Sequence, residues 1–286
     1  MRILLVVHAL PNDEVTLHLG TQIAGQAGGA ITVLAVGGNA RDRARVEPSL
    51  GRAREILAQV ANLQTRVRLG SPVRQVLREA QEGSYDLIVV GEPWHDNRLD
   101  RFRPGSESVH LVENAPCSVL VVKGKPRPIR RILLCDSGAG SVLADPVLRA
   151  ARPSPSLLAR FAAQVAEMLQ GEEDITILHV MSQIGAGPGI PGKQLRAAAE
   201  ELIDERSPEG ELLRQDVQML VRPGVQARPL VRHGLVLDEI LHEARCGDYD
   251  LVVIGAHPGK LWQKLLLDYL ARKIMVQIDR PILVIK

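Results

Sequence analysis

Residues 70–91 and 234–255 overlay without a gap at an offset of 164, and this repetition constrains the fold more than any other feature of the chain. Identical pairs are Gly70/Gly234, Leu77/Leu241, Glu79/Glu243, Ala80/Ala244, Gly83/Gly247, Tyr85/Tyr249, Asp86/Asp250, Leu87/Leu251, Val89/Val253 and Gly91/Gly255. Two unrelated amphipathic helices would not agree so often. The agreement returns at the ends of each half, where Ile3-Leu4-Leu5 matches Ile132-Leu133-Leu134 and the run from Val119 to Lys123 matches that from Ile282 to Lys286. The chain therefore holds two copies of one unit.

Within each copy, short β-branched runs alternate with segments of helical period, the pattern of a mostly parallel sheet wrapped by helices. In the first half strands are predicted near 3–8, 31–36, 65–69, 86–90 and 118–122, with helices near 13–27, 49–62, 71–82 and 105–113. In the second half strands are predicted near 131–135, 175–180, 227–231, 250–254 and 282–286, with helices near 156–170, 193–220, 235–246 and 263–277. The expected fold class is α/β: two doubly wound, five-stranded, Rossmann-like domains in tandem. Domain bounds are 1–123 and 130–286, and the Pro- and Lys/Arg-rich residues 124–129 form the linker. The second half is the longer one. Its surplus falls around Gly138 to Ser156 and in a Gly/Pro-rich loop from Gly185 that leads into a long helix, next to the strand ends where such sheets bind ligands.

Charge narrows the function classes. With 35 basic and 33 acidic residues the formal charge is +2, too small for the long-range field that nucleic-acid binding uses. Aromatics make up 2%, which leaves little for base-stacking platforms. Cys117, Cys135 and Cys246 have no ligand or CxxC spacing and read as reduced thiols. The opening run is broken by Pro11, Asn12 and Asp13 and reads as a first strand rather than a signal peptide. No apolar run approaches the roughly 20 residues a membrane span needs. A cytoplasmic protein without nucleic-acid or membrane partners is expected.

The unit order, the strand Asp86-Leu87-Ile88-Val89-Val90-Gly91, and the closing run Ala115-Pro116-Cys117-Ser118 to Lys123 resemble the universal stress protein family over essentially the whole chain, twice. Members of that family that bind ATP resemble one another in an Asp at the end of strand 1 and a Gly-x2-Gly-x9-Gly-Ser/Thr loop after strand 4. Such glycines let backbone N–H groups approach phosphate oxygens, and a Gly-Ser that opens a helix adds a hydroxyl and the positive helix terminus. Here the pattern is divided. The first half keeps Gly91 and Gly105-Ser106 with Ser108, but has Trp94 at the middle glycine, one extra residue of spacing, and His8 in place of the carboxylate. The second half keeps Asp136, Gly255 and Gly259 but lacks the Gly-Ser end, having Leu267-Asp268-Tyr269 there. An acidic residue beside a triphosphate repels it unless Mg²⁺ intervenes.

The resemblance thus implies an adenine-nucleotide site, ATP with Mg²⁺, in the first half rather than the second. The expected contact set is His8, Val36, Gly91, Arg103, Gly105, Ser106 and Ser108, with Asp136, Val180, Gly255 and Gly259 at the matching places of the second half. Arg98 and Arg101 would assist Arg103. The competing reading is that Gly105-Ser106 is a plain helix N-cap beside solvated arginines. His8, His95 and His257 have no metal-ligand spacing and read as turn residues. The glycines at 138, 140, 185, 187 and 189 fit no phosphate fingerprint and read as turns, and Trp94 and Trp262 read as packing residues rather than as a ligand-stacking pair. No nucleophile with a base is present, so neither catalytic residues nor a metal site is expected. The leading reading is a non-catalytic stress-response regulator. Its rivals are a nucleotide-free dimerisation or docking scaffold and, less favoured, a slow ATPase. The apolar closing strands, 119–122 and 282–285, are expected to join the halves as an intramolecular pseudo-dimer, and a homodimer of chains is a further expectation.

Overall fold

The computed structural model describes residues 1–8, 13–27, 29–38, 42–92, 106–124, 127–136, 161–162, 173–181, 197–255 and 270–286. These fall into two compact units, one made of the described residues of 1–128 and 279–286 and the other of those between 129 and 278.

Unit 1 runs β1 (Arg2–Val7), α1 (Asp13–Ala27), β2 (Ala30–Gly37), α2 (Arg43–Ile56), β3 (Asn62–Leu69), α3 (Pro72–Gly83), β4 (Leu87–Gly91), α4 (Ser106–Asn114) and β5 (Ser118–Val122). Its sheet has the order β3-β2-β1-β4-β5 and is completed by β10 (Ile282–Ile285), from the far end of the chain. All pairings are parallel except that of β10 with β5, which is antiparallel with Leu283 opposite Leu120. Ile3 to Val7, Leu87 to Val90 and Val119 to Val122 are buried at successive positions. Helices on both faces cover a central strand, and an unbroken apolar run is what such a strand needs.

Unit 2 contains β6 (Arg131–Asp136), β7 (Glu173–Met181), α5 (Ala199–Asp204), α6 (Pro208–Leu220), β8 (Val225–His233), α7 (Val236–Cys246) and β9 (Leu251–Gly255), followed by helical residues 270–277. The parallel order is β9-β6-β7-β8. In both units the chain steps from the first strand outward to one side and then returns to its other side. That reversal creates a crevice at the carboxyl ends of β1 and β4, and again of β6 and β9, where open α/β sheets bind ligands.

Three predicted boundaries move. The second helix occupies 43–56 rather than 49–62 and carries Pro48 in its interior, where a proline reads as a helix start. The following strand begins at Asn62 rather than 65, because β2 pairs with it from Ala30↔Asn62 to Gly37↔Leu69. The long helix expected over 193–220 is two helices. Arg206 has φ of 52°, Ser207 accepts the Gly210 N–H at 3.0 Å, and Pro208 opens α6. A left-handed residue, an N-cap and an N-terminal proline in succession stop one helix and start another. The helix predicted at 156–170 lies outside the described residues apart from 161–162. Among the described residues no helix is long and apolar enough to cross a membrane.

Candidate functional site

The carboxyl edge of unit 1 collects several of the expected residues. β1 is followed directly by His8, whose backbone N–H donates to both carboxylate oxygens of Asp13, at 3.2 and 3.0 Å. Asp13 is buried in the first turn of α1. A carboxylate therefore stands at the end of strand 1 although His8 occupies the strand position. Sequence reasoning passed over it because Asp13 belongs to the next element; its signal was an acidic residue in the first turn of a helix. Val36 is buried near the end of β2, and Gly37 beyond it accepts the Gly70 N–H at 2.8 Å. Gly91 ends β4. The next residue, Glu92, donates its N–H to the Val122 carbonyl at 2.9 Å and pairs its carboxylate with Lys123 at 3.2 Å. Ser106 opens α4, and Ser108 is fully buried in its first turn.

Arg103, Gly105 and Gly259 lie outside the described residues, as do Trp94, His95, Arg98, Arg101, His257, Trp262 and the glycines at 138, 140, 185, 187 and 189.

At the matching edge of unit 2, Asp136 ends β6 opposite His179 of β7, Val180 follows, and Gly255 ends β9. Val180 and Gly255 line a small apolar hollow of about 50 Å³. Cys135, Leu178 and Ile254 from the sheet, Val236 and Ile240 from α7, and Leu270, Ala271 and Ile274 complete its described lining. Among the described residues no group of three or more His, Cys, Asp or Glu could hold a metal ion. Burial pushes the Cys117 thiol up to about 11, so it stays protonated at neutral pH.

A family model described as the universal stress protein family matches residues 1–123 and 150–286. The chain belongs to that family. A universal stress protein of Staphylococcus haemolyticus is 40% identical over 72 residues, which is 25% of this chain and 43% of the relative, so less than half of that protein's length is matched. Among solved structures, a functionally unknown protein of Pseudomonas aeruginosa superposes with a TM-score of 0.69 at 19% identity, over 100% of this chain and 92% of its own. A universal stress protein of Archaeoglobus fulgidus gives 0.61 at 16% identity, over 100% and 96%. These likenesses establish a tandem universal stress protein fold.

Within that fold, the repeat identities have a structural explanation. Glu79 on α3 accepts Arg66 at 2.7 Å, Arg68 at 2.6 Å and the Tyr85 hydroxyl at 3.0 Å. Glu243 on α7 accepts Arg232 and, at 2.8 Å, the Tyr249 hydroxyl. Gly83 and Gly247 are required by close approach: a Cβ on either would meet the tyrosine ring at 2.1 Å. Asp86 binds the Arg2 N–H at 2.7 Å, and Asp250 binds the Arg130 and Arg131 N–H groups at 3.0 and 2.9 Å. These aspartates pin the amino-terminal ends of the central strands, the edge opposite the crevice. What the two halves share most closely is thus a fold-building cluster, while their ligand edges differ.

Proposed function

We propose that the first half of this universal stress protein binds an adenine nucleotide, ATP with Mg²⁺, at the carboxyl edge of unit 1, and that the protein acts in the cytoplasm as a non-catalytic stress-response regulator. One observation carries the reading. The segment between Gly91 and Ser106 is bracketed by the carboxyl end of a central strand and the amino end of a helix, the place where free backbone N–H groups and the helix dipole favour phosphate. The adjoining carboxylates do not forbid it. Glu92 is neutralised by Lys123, and Asp13 is engaged by the His8 N–H. Arg103, Gly105, Ser106 and Ser108 supply the remaining donors in this reading. The second half, with an apolar cavity at its matching edge, does not take the triphosphate. Pairing of the halves through the closing strands, and of whole chains as a homodimer, belongs to the same proposal.

The test is a thermal-shift series in ATP with and without Mg²⁺, together with mass spectrometry of ligand released from the purified protein. At 100-fold excess over Kd a nucleotide adds roughly 2.7 kcal/mol of stability. The shift should vanish in the double variant Gly105→Val, Ser106→Ala. A shift that survives moves the site out of the first half, and neither shift nor co-purified nucleotide leaves the scaffold reading. Phosphate release that depends on the same two residues would replace the regulator with a slow ATPase.

A further inference from the structure

The two halves treat the outer edges of their sheets differently. Among the described strands β3 is the terminal strand of unit 1 and β8 that of unit 2. Gly70, next after β3, donates its N–H to the Gly37 carbonyl at 2.8 Å, and Gly234, next after β8, donates to the Met181 carbonyl at 3.3 Å. Backbone groups in a parallel ladder alternate between inward and outward from one residue to the next. In β3 the N–H and C=O of Gln64, Arg66 and Arg68 therefore face β2, and those of Leu63, Thr65 and Val67 face away from it. In β8 the same count turns Pro229 outward, a residue with no N–H to offer. At the repeat offset of 164, Thr65 is the counterpart of Pro229. Unit 2 thus removes, in the middle of its edge, the donor that unit 1 keeps. β3 holds neither Pro nor Gly and pairs regularly along its whole length, so its outward donors and acceptors are spaced to take another strand.

Charge decides which strand. The even-numbered residues of β3 face α3, where Arg66 and Arg68 share the Glu79 carboxylate and Arg68 and Arg78 share that of Glu82. Three guanidinium groups over two carboxylates leave one positive charge in excess, and exposed Arg74, one turn before Arg78 on α3, adds another. The odd-numbered residues face α2, since Arg54 donates to the Thr65 hydroxyl at 2.8 Å. On that face Leu63, Thr65 and Val67 are half-buried and Leu69 is exposed. A second copy of the chain does not match this edge. β3 against β3 sets Arg66 and Arg68 beside their own copies, and β8 brings Arg228 and Arg232 together with Pro229.

We infer that the edge of β3 binds an extended segment of a partner protein in which acidic side chains alternate with apolar ones. The acidic residues lie beside Arg66, Arg74 and Arg78, the apolar ones beside Leu63, Val67 and Leu69, and the backbone adds a strand to the unit 1 sheet. The inference does not rest on the nucleotide reading, which concerns the crevice between β1 and β4.

The probe is a fluorescein-labelled peptide in which glutamate alternates with valine, titrated into the full-length protein and followed by anisotropy. Saturable binding that weakens with added salt is expected. The peptide should slow hydrogen exchange at the Leu63, Thr65 and Val67 amides and leave those of Gln64, Arg66 and Arg68, already in the ladder, unchanged. Thr65→Pro copies the unit 2 residue and should weaken binding at least about tenfold, with a thermal melt to show that the fold survives. Arg74→Glu leaves the edge backbone intact and should weaken binding about threefold through charge alone. The same peptide N-methylated throughout keeps its charges but cannot pair, and should not bind. Equal binding of the N-methylated peptide, or of one with lysine in place of glutamate, would overturn the inference, as would protection falling on β8 instead of β3. So would a dimer of the protein alone that Thr65→Pro abolishes, which assigns the edge to a second copy. Absence of the ATP thermal shift while this binding holds would defeat only the nucleotide proposal.

Discussion

Glu79 has no exposed side-chain surface, yet it is the meeting point of two arginines and a tyrosine. Removing Glu79 takes a partner from Arg68 and from the buried Tyr85 hydroxyl, although Arg68 keeps Glu82 and Arg66 is half exposed, and the loss costs more than the pair itself contributes. Glu79→Ala should therefore destabilise unit 1 by about 3 kcal/mol and Tyr85→Phe by about 1 kcal/mol. The two losses should be less than additive in urea unfolding, because both break at the same carboxylate. Burial raises the Tyr85 hydroxyl above its ordinary range, so the tyrosine remains a donor to Glu79 through neutral pH. Burial acts in the same direction on Glu173, at the start of β7, and pushes its carboxyl up to about 7 from 4.5. The folded state then holds a proton that the unfolded chain has released, and stability from this group falls as pH rises from about 4.5 to 7. Glu173→Gln should flatten that slope and leave the variant more stable than the parent at pH 8, as read by unfolding free energies at pH 5 and pH 8.

At the scale of elements, the junction between α5 and α6 rests on Arg206, Ser207 and Pro208. Ser207→Ala removes the hydroxyl that accepts the Gly210 N–H and should cost about 1 kcal/mol. Arg206→Gly relieves a left-handed residue and should gain about 0.5 kcal/mol, the glycine's extra unfolded-state freedom offsetting part of the relief. Circular dichroism melts of both variants check the sign of each. This junction also shows why some elements were legible in the sequence and others not. Strands such as Leu87–Gly91 and Leu251–Gly255 announce themselves, because a strand covered on both faces must be apolar at every position. Residues 193–220 carry helical period throughout, and period alone does not reveal a break made by one backbone angle and one cap. Pro48 misled in the converse way: it sits exposed inside α2, a helix anchored by buried Val46, Leu50 and Ala53, where a local rule ends a helix. Of the site, the strand-end positions His8, Val36, Gly91, Asp136, Val180 and Gly255 follow from topology once the strands are known. Asp13 and the apolar cavity do not, because they depend on which side chains from separate elements converge.

At the scale of the molecule, β10 ties the last residues of the chain to the first unit. Ile282, Leu283 and Val284 stand opposite Val121, Leu120 and Val119, and the Lys286 amine donates to the Glu113 and Ala115 carbonyls at 3.2 and 2.7 Å, capping the end of α4. Without β10, β5 would expose the apolar edge from Val119 to Val122, the kind of strand that invites association. A proline within β10 removes a ladder donor and crowds its neighbour, a change worth about 3 kcal/mol in regular structure. Leu283→Pro should therefore destabilise unit 1, although Leu283 lies far along the chain from the β5 strand it pairs with. Hydrogen exchange separates this from a general loss of stability. Amides of Ser118–Val122 should lose protection, while those of β6, β7 and β8 keep theirs. Equal loss in β7 would mean that the closing strand supports the whole molecule, and no loss in β5 would mean that the antiparallel pairing contributes little to holding unit 1 together.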